Sequence, residues 1–411
     1  MQRLPAEKAQ EERATPLSVF AGLLAIGAGL YLLLMSLYLT LPPAQAKDSN
    51  DLKLYHAVAG AVLRGEIPYR DFFIEYPPGS LLAFLPPAPF AADRTTYSLY
   101  FASEMALVLV ACMMLTAFSA RASGRRAMAA SLVFALGALV LYPVSTARYD
   151  PVVALTLAAA AACAARGRSL PAFAALGFGT AAKIIPALAA FPLAALGGAR
   201  RLRRAGLGFG VLLLVVALFL VPAGLLGEQG LAASFGYQAG RGLQLESLAS
   251  SVLLALGAVR WVGFSYGAFE VHGGWANLAA SLSLPLTAAL LLVCLFLLWR
   301  RHGPGGMPPA LFPRYAAAFI LAFMLGSKVL SPQYMIWLLP LVPLGAEGAF
   351  GVFLSAVFLV TCCLTTAIYP FHYHQLVVGH EPEVMLLLAR NALLVILWFA
   401  LLLAPAGKRA G

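Results

Sequence analysis

Seven apolar runs, at 17–41, 95–119, 127–146, 205–226, 276–299, 349–369 and 384–404, leave this chain few folds to adopt. Each has about the 20 residues that a helix needs to cross the hydrocarbon core of a bilayer. In that core every backbone N–H and C=O must be bonded within the protein, so such runs fold as helices. Interrupted runs at 150–165, 170–196 and 311–346 bring the expected number of spans to about ten to twelve. Only 11% of residues are charged, against about 25% in soluble domains. The expected fold is an all-α polytopic integral membrane protein. It forms a single membrane-embedded domain over 1–411, with no soluble domain at either end.

The first run is followed by "AQA" at 44–46, which has the form of a signal-peptidase site. Yet 17–41 spans 25 residues, against roughly 7–15 for a signal-peptide core, so it reads as a retained first helix.

The net charge of +11 is distributed as topology rather than as a nucleic-acid surface. Basic residues cluster in short connections at Arg121, Arg125 and Arg126, at Arg166 and Arg168, at Arg200 to Arg204, and at Arg300 and Arg301. Lys and Arg mark cytoplasmic loops. With Arg3, Lys8 and Arg13 at one end and Lys408 and Arg409 at the other, both termini are expected to be cytoplasmic, with residues 1–16 as a cytoplasmic tail. Membrane lipids are a sufficient partner for these clusters, and no nucleic-acid partner is expected. The same threading places 42–94, 146–150, 227–275, 328–333 and 370–383 on the extracytoplasmic face. Segment 170–196 begins and ends beside basic clusters, so it is expected to enter and return as two shorter helices meeting near Lys183.

The first outer loop is where the acids collect. Asp48, Asp51, Glu66, Asp71 and Glu75 are five of only 17 in the chain. Leu52, Tyr55, Val58, Ala59, Val62 and Leu63 fall close to helical spacing, which predicts an amphipathic helix over 50–64 on the membrane surface. Asp51 then sits at its N-terminus, where a negative charge is favoured. "GEIP" ends the helix and "YPPG" turns the chain back toward the membrane.

Four stretches carry a resemblance. "NDLKLYHAVAGAVLRGEIPY…EYPPGS" resembles the first outer loop of GT-C membrane glycosyltransferases that use polyprenyl-phosphate sugars. "RYDPVVALTLAAAAACAARGRSLPAFAALGFGTAAKIIPALAAFPL" resembles their middle helices. "GYQAGRGLQLESLASSV" resembles a central outer loop, and "SKVLSPQYMIWLLPL" a late outer turn. Together, from about 47 to 346, they are most similar to glycosyltransferase family 87, the polyprenyl-phosphate-mannose-dependent α-mannosyltransferases. The resemblance implies a GT-C-like helical bundle in a bacterial inner membrane. It also implies an inverting transfer of mannose from a polyprenyl-phosphate donor to a hydroxyl of a glycolipid, glycan or protein acceptor on the extracytoplasmic face. Arabinose, glucose or galactose would be compatible with the same residues. A lipid-linked saccharide flippase or transporter is the alternative, although such proteins are commonly built from repeats and none is evident here.

Phosphate is a good leaving group, so the chemistry needs one carboxylate base and cations for the departing phosphate. Asp51, which matches the Asp of the family's loop, is the candidate base, with Asp48 as the alternative and a helix cap as its plain reading. Lys183, Arg241, Arg390 and Lys328 are candidates for the donor phosphate. Against these roles stand a structural Lys183–Glu104 pair, an ordinary loop charge at Arg241 and a snorkelling Arg390. Glu75, Tyr76, Gln244, Gln333, Tyr334, His372 and His374 are expected around the substrates. Asp71 reads as a solvated loop acid, and Arg148 and Asp150 as a pair. "HYH" at 372–374 is not a zinc spacing, and no metal or other cofactor is expected.

Overall fold

The computed structural model describes residues 16–40, 50–198 and 200–403. Asp48, the Ala44–Ala46 stretch and the basic residues of the two chain ends lie outside them. The helices in chain order are α1 (Pro16–Thr40), α2 (Asn50–Leu63), α3 (Arg94–Ala122), α4 (Ala127–Val140), α5 (Asp150–Ala165), α6 (Ser169–Ala182), α7 (Arg201–Gly240), α8 (Leu248–Ala255), α9 (Gly274–His302), α10 (Phe312–Gly326), α11 (Gly348–Thr366) and α12 (Glu381–Leu403). Among the described residues seven helices are long and apolar enough to cross a membrane, and four shorter apolar helices accompany them. The chain is an all-α polytopic membrane protein.

Exposure on the long helices is apolar. On α7, Leu207, Leu213, Leu214, Leu218, Val221 and Leu225 are all exposed. A patch of this size facing water would be a liability; facing lipid it costs nothing. The buried core is made instead by α3, α5, α6 and α10, where small residues bring the helices close. Ala154, Ala158, Ala161, Ala316, Ala317 and Ala318 are fully or almost fully buried.

Two features depart from a plain bundle. Segment 170–196 breaks as expected: α6 stops at Ala182, Lys183 is extended (φ −160°, ψ 126°), and short helices at Ile185–Ala189 and Ala190–Ala194 come next. The central outer loop expected at 227–275 begins later than its sequence suggests. Helix α7 kinks at Gly227 but continues to Gly240. Beyond it lies a small antiparallel sheet in the order β1–β3–β2, formed by β1 (Leu243–Gln244), β2 (Trp261–Ser265) and β3 (Ala268–His272).

The first outer loop is wedged into the bundle. Helix α2 buries Leu52, Tyr55, Val58 and Ala59, and Tyr55 stacks on Phe84 at 4.2 Å between ring centres. The loop after α2 rests on glycines. A Cβ on Gly79 would lie 2.5 Å from the backbone of Ala181, and one on Gly230 would lie 1.9 Å from the Tyr69 carbonyl oxygen. These close approaches hold "IEYPPGS" between the Lys183 break and α7. Ser234 donates to the carbonyl of Ile74, Gln238 to that of Glu75 at 3.2 Å, and Tyr69 to that of Tyr76 at 2.7 Å. Asp71 instead closes its own turn, pairing with Arg70 at 2.8 Å and accepting from the Ile67 amide.

Candidate active site

The wedged loop, the Lys183 break, the upper part of α7, the sheet and the segment after α11 enclose a cavity of about 810 Å³. Its wall carries Asp51, Lys183, Arg241, Glu75, Tyr76, Gln244, Gln333, Tyr334 and His374 among the residues singled out from the sequence.

Asp51 lies in the first turn of α2 with its side chain 25% exposed. Oδ1 accepts from the Tyr76 hydroxyl at 2.8 Å, and Oδ2 pairs with Arg148 Nη2 at 2.9 Å. Arg148 also donates to the Tyr369 hydroxyl at 3.3 Å. Each carboxylate oxygen has about two acceptor sites, so both partners together leave room for a further donor. Glu75 lies nearby, and its carboxyl is raised above the usual range, chiefly by burial.

The cations differ in how far they are already committed. Lys183 Nζ donates to Asp150 Oδ1 at 2.8 Å, and Trp337 Nε1 donates to the same oxygen at 2.7 Å. Three rings surround the ammonium, those of Tyr149, Tyr334 and Trp337 at 5.0, 5.4 and 5.1 Å, within cation–π range. The alternative weighed against a phosphate role for Lys183, a pair with Glu104, is not formed, and Asp150 is its partner instead. Glu104 Oε2 is buried with no hydrogen-bond partner among the described residues. The expected Arg148–Asp150 pair is likewise replaced, since each partner has a nearer opposite charge across the bundle. Arg241 is different: its Nε is buried and bonds to nothing among the described residues. A native buried donor left open in this way calls for a partner.

Three expected site residues do not reach the wall. Lys328 donates to the carbonyls of Ala239 and Arg241 at 2.8 and 2.5 Å, pinning the turn that carries Arg241. Burial holds its ammonium below the usual lysine range. Arg390 is buried behind the wall and donates to the Glu246 carbonyl at 3.0 Å. His372 pairs with Glu383 at 3.3 Å, and His380 bonds to the same carboxylate. Among the described residues no three His, Cys, Asp or Glu side chains converge as a metal site.

One functional candidate was not drawn from the sequence. Glu246, in the "GRGLQLES" stretch, lines the cavity while only 2% exposed. Burial raises its carboxyl to about 7, opposed by Arg390, a hydroxyl bond from Tyr373 and Arg148. It is the one acid in that stretch, which was the available signal.

Searches of curated proteins and of solved structures found no match. The sequence model of glycosyltransferase family 87 matches residues 73–332. The match is narrower than the 47–346 resemblance and leaves α2 and Asp51 outside it. It nevertheless covers more than half of the chain, including Glu75, Lys183, Arg241 and Glu246, and on that ground the chain belongs to glycosyltransferase family 87.

Proposed function

We propose that this glycosyltransferase moves mannose, with inversion, from a polyprenyl-phosphate donor to an acceptor hydroxyl on the extracytoplasmic side of a bacterial inner membrane. The observation that carries this reading is the opening of Asp51 onto a cavity that also contains Arg241, whose buried Nε is an open donor among the described residues. Asp51 takes the proton from the acceptor hydroxyl, and the resulting oxygen attacks the anomeric carbon. The bond from that carbon to the phosphate oxygen breaks, and the phosphate leaves with both electrons toward Arg241. No general acid is needed, because the leaving phosphate is already stable as an anion. A β-linked donor would then give an α-linked product.

The apolar side of the cavity, with Leu231, Phe235, Ile184 and Ile185, suits the first isoprene units of the donor. Lys183, whose charge is balanced by Asp150, is better placed to shape the pocket floor than to release a bound phosphate. The orientation rests on the basic connections, which gather at the end of the bundle away from the cavity. There Arg125 pairs with Glu347 and Arg201 donates to Gly303.

The test is transfer of labelled mannose from polyprenyl-phosphate mannose in membranes containing the protein, wild type beside Asp51→Asn. Positioned general bases contribute about 10²–10⁴-fold. A loss of that size with normal expression is expected. Full activity in the variant would remove Asp51 from this role.

A further inference from the structure

The cavity has a second wall that the transfer step does not use. Phe264 and Phe269, opposite each other on β2 and β3, meet edge-on at 5.2 Å between ring centres. Phe269 meets Tyr373 at 5.9 Å, and Tyr373 meets Tyr369 at 5.1 Å. This chain of rings runs from the exposed hairpin to the hydroxyl that receives a hydrogen bond from Arg148, the partner of Asp51. All four rings line the cavity, and Phe264 is 57% exposed. The Glu246 carboxylate is set among them, accepting from Tyr373 at 3.4 Å. Its hairpin support is firm, because Glu270 accepts from Gly242 N at 2.8 Å and from Ser265 Oγ at 2.6 Å.

We infer that this wall is a saccharide subsite for the acceptor, with Phe264 and Phe269 offering ring faces to a pyranose and Glu246 accepting from its hydroxyls. The inference rests on the transferase reading above and names where the acceptor lies within it. A pyranose has a face of C–H bonds whose partial positive charge suits the negative face of an aromatic ring. Its hydroxyls need acceptors once out of water, and a carboxylate is the strongest available. A site built around such polar groups rejects ligands that leave them unpaired. The exposed rings that suit a membrane surface, Trp261 and Trp275, lie on the same outer segment but do not line the cavity.

The test uses the full-length protein in lipid nanodiscs on an array of mannose-, glucose-, galactose- and arabinose-containing oligosaccharides beside Ser/Thr-rich peptides. The wild type is expected to retain at least one oligosaccharide. Phe264→Ala should weaken that retention about tenfold, and Glu246→Gln about ten- to hundredfold. Phe264→Trp should restore it. Phe264 is largely exposed, so its variants test the wall even if Glu246→Gln fails to fold. Retention of peptides alone, no retention of any saccharide, or retention indifferent to both substitutions would overturn the inference. Mannose transfer in membranes is measured separately. Transfer without saccharide retention removes only this subsite, whereas retention without transfer removes the polyprenyl-phosphate-mannose donor and leaves the subsite standing.

Discussion

Lys183 and Asp150 are a largely buried ionic pair, and the pair is only as stable as its completeness. The Lys183 side chain is 17% exposed and that of Asp150 is 1% exposed. Removing one partner of a buried pair typically costs about 3–5 kcal/mol, because the other charge is left unpaired. Lys183→Met is therefore expected to lower the unfolding free energy in detergent by about that amount. Combining it with Asp150→Asn should recover much of the loss. A double-mutant cycle showing additive effects would mean that the two charges do not depend on each other. Glu246 poses the opposite case, a carboxyl whose folded-state value lies near 7, well above its ordinary value of 4.5. A group raised on folding stabilises fully below its unfolded value and loses that contribution as pH rises through the folded one. Between about pH 4.5 and 7 the wild type should thus lose thermal stability relative to Glu246→Gln. Parallel melting curves for the two proteins across that window would contradict it.

At the scale of elements, the position of the first outer loop depends on backbone contact. Gly79→Ala would drive a methyl into the Ala181 backbone, and overpacking of this kind costs about 1–3 kcal/mol. The expected outcome is lower thermal stability together with reduced transfer, since Tyr76 and hence Asp51 move with the loop. Unchanged melting would show that the loop is not wedged. Much of this architecture was legible in the sequence. The long helices could be read from apolar runs, α2 from its spacing, and the break at Lys183 from a charge and Pro186 in an otherwise apolar stretch. Partnerships were not legible. Whether Lys183 meets Glu104 or Asp150 depends on which helices adjoin, and that order leaves no local trace in a single chain. The extension of α7 to Gly240 was hidden because "LGEQGLAASFGYQAG" is rich in glycine, which is disfavoured in helix interiors; two of those glycines are what let Tyr69 approach. The hairpin was also missed, although Val262 and Phe264, then Phe269 and Val271, alternate around the tight turn at Tyr266 and Gly267, both with positive φ.

For the molecule as a whole, the arrangement sorts charge by end. The cavity end carries most of the described acids, and the opposite end, where Glu347 pairs with Arg125, carries arginines that bond helix-terminal carbonyls: Arg314 donates to the Leu401 carbonyl at 2.6 Å, and Arg301 to that of Leu402. If the basic end is cytoplasmic, Leu256→Cys, on the hairpin side, should react with a membrane-impermeant thiol reagent applied to the periplasmic face of oriented membranes. Leu202→Cys, among the arginines, should react only from the other face. Both leucines are exposed, at 73% and 86%. The reverse pattern would invert the topology and place the chemistry inside the cell.

Helix α7 has 40 residues, which at 1.5 Å each is about 60 Å, roughly twice the hydrocarbon thickness of a bilayer. Its leucine-covered portion ends near the Gly227 kink, and the remaining turns to Gly240 form one side of the cavity. If the kink marks the edge of the hydrocarbon layer, the proposed site lies at a phase boundary. A substrate with an oily tail and a charged head can be met there without leaving either phase. Encounter becomes a search in two dimensions, governed by the mole fraction of that substrate among the lipids. Diluting the membrane with inert phospholipid would then slow turnover even at constant total substrate, whereas diluting the suspension with buffer would not.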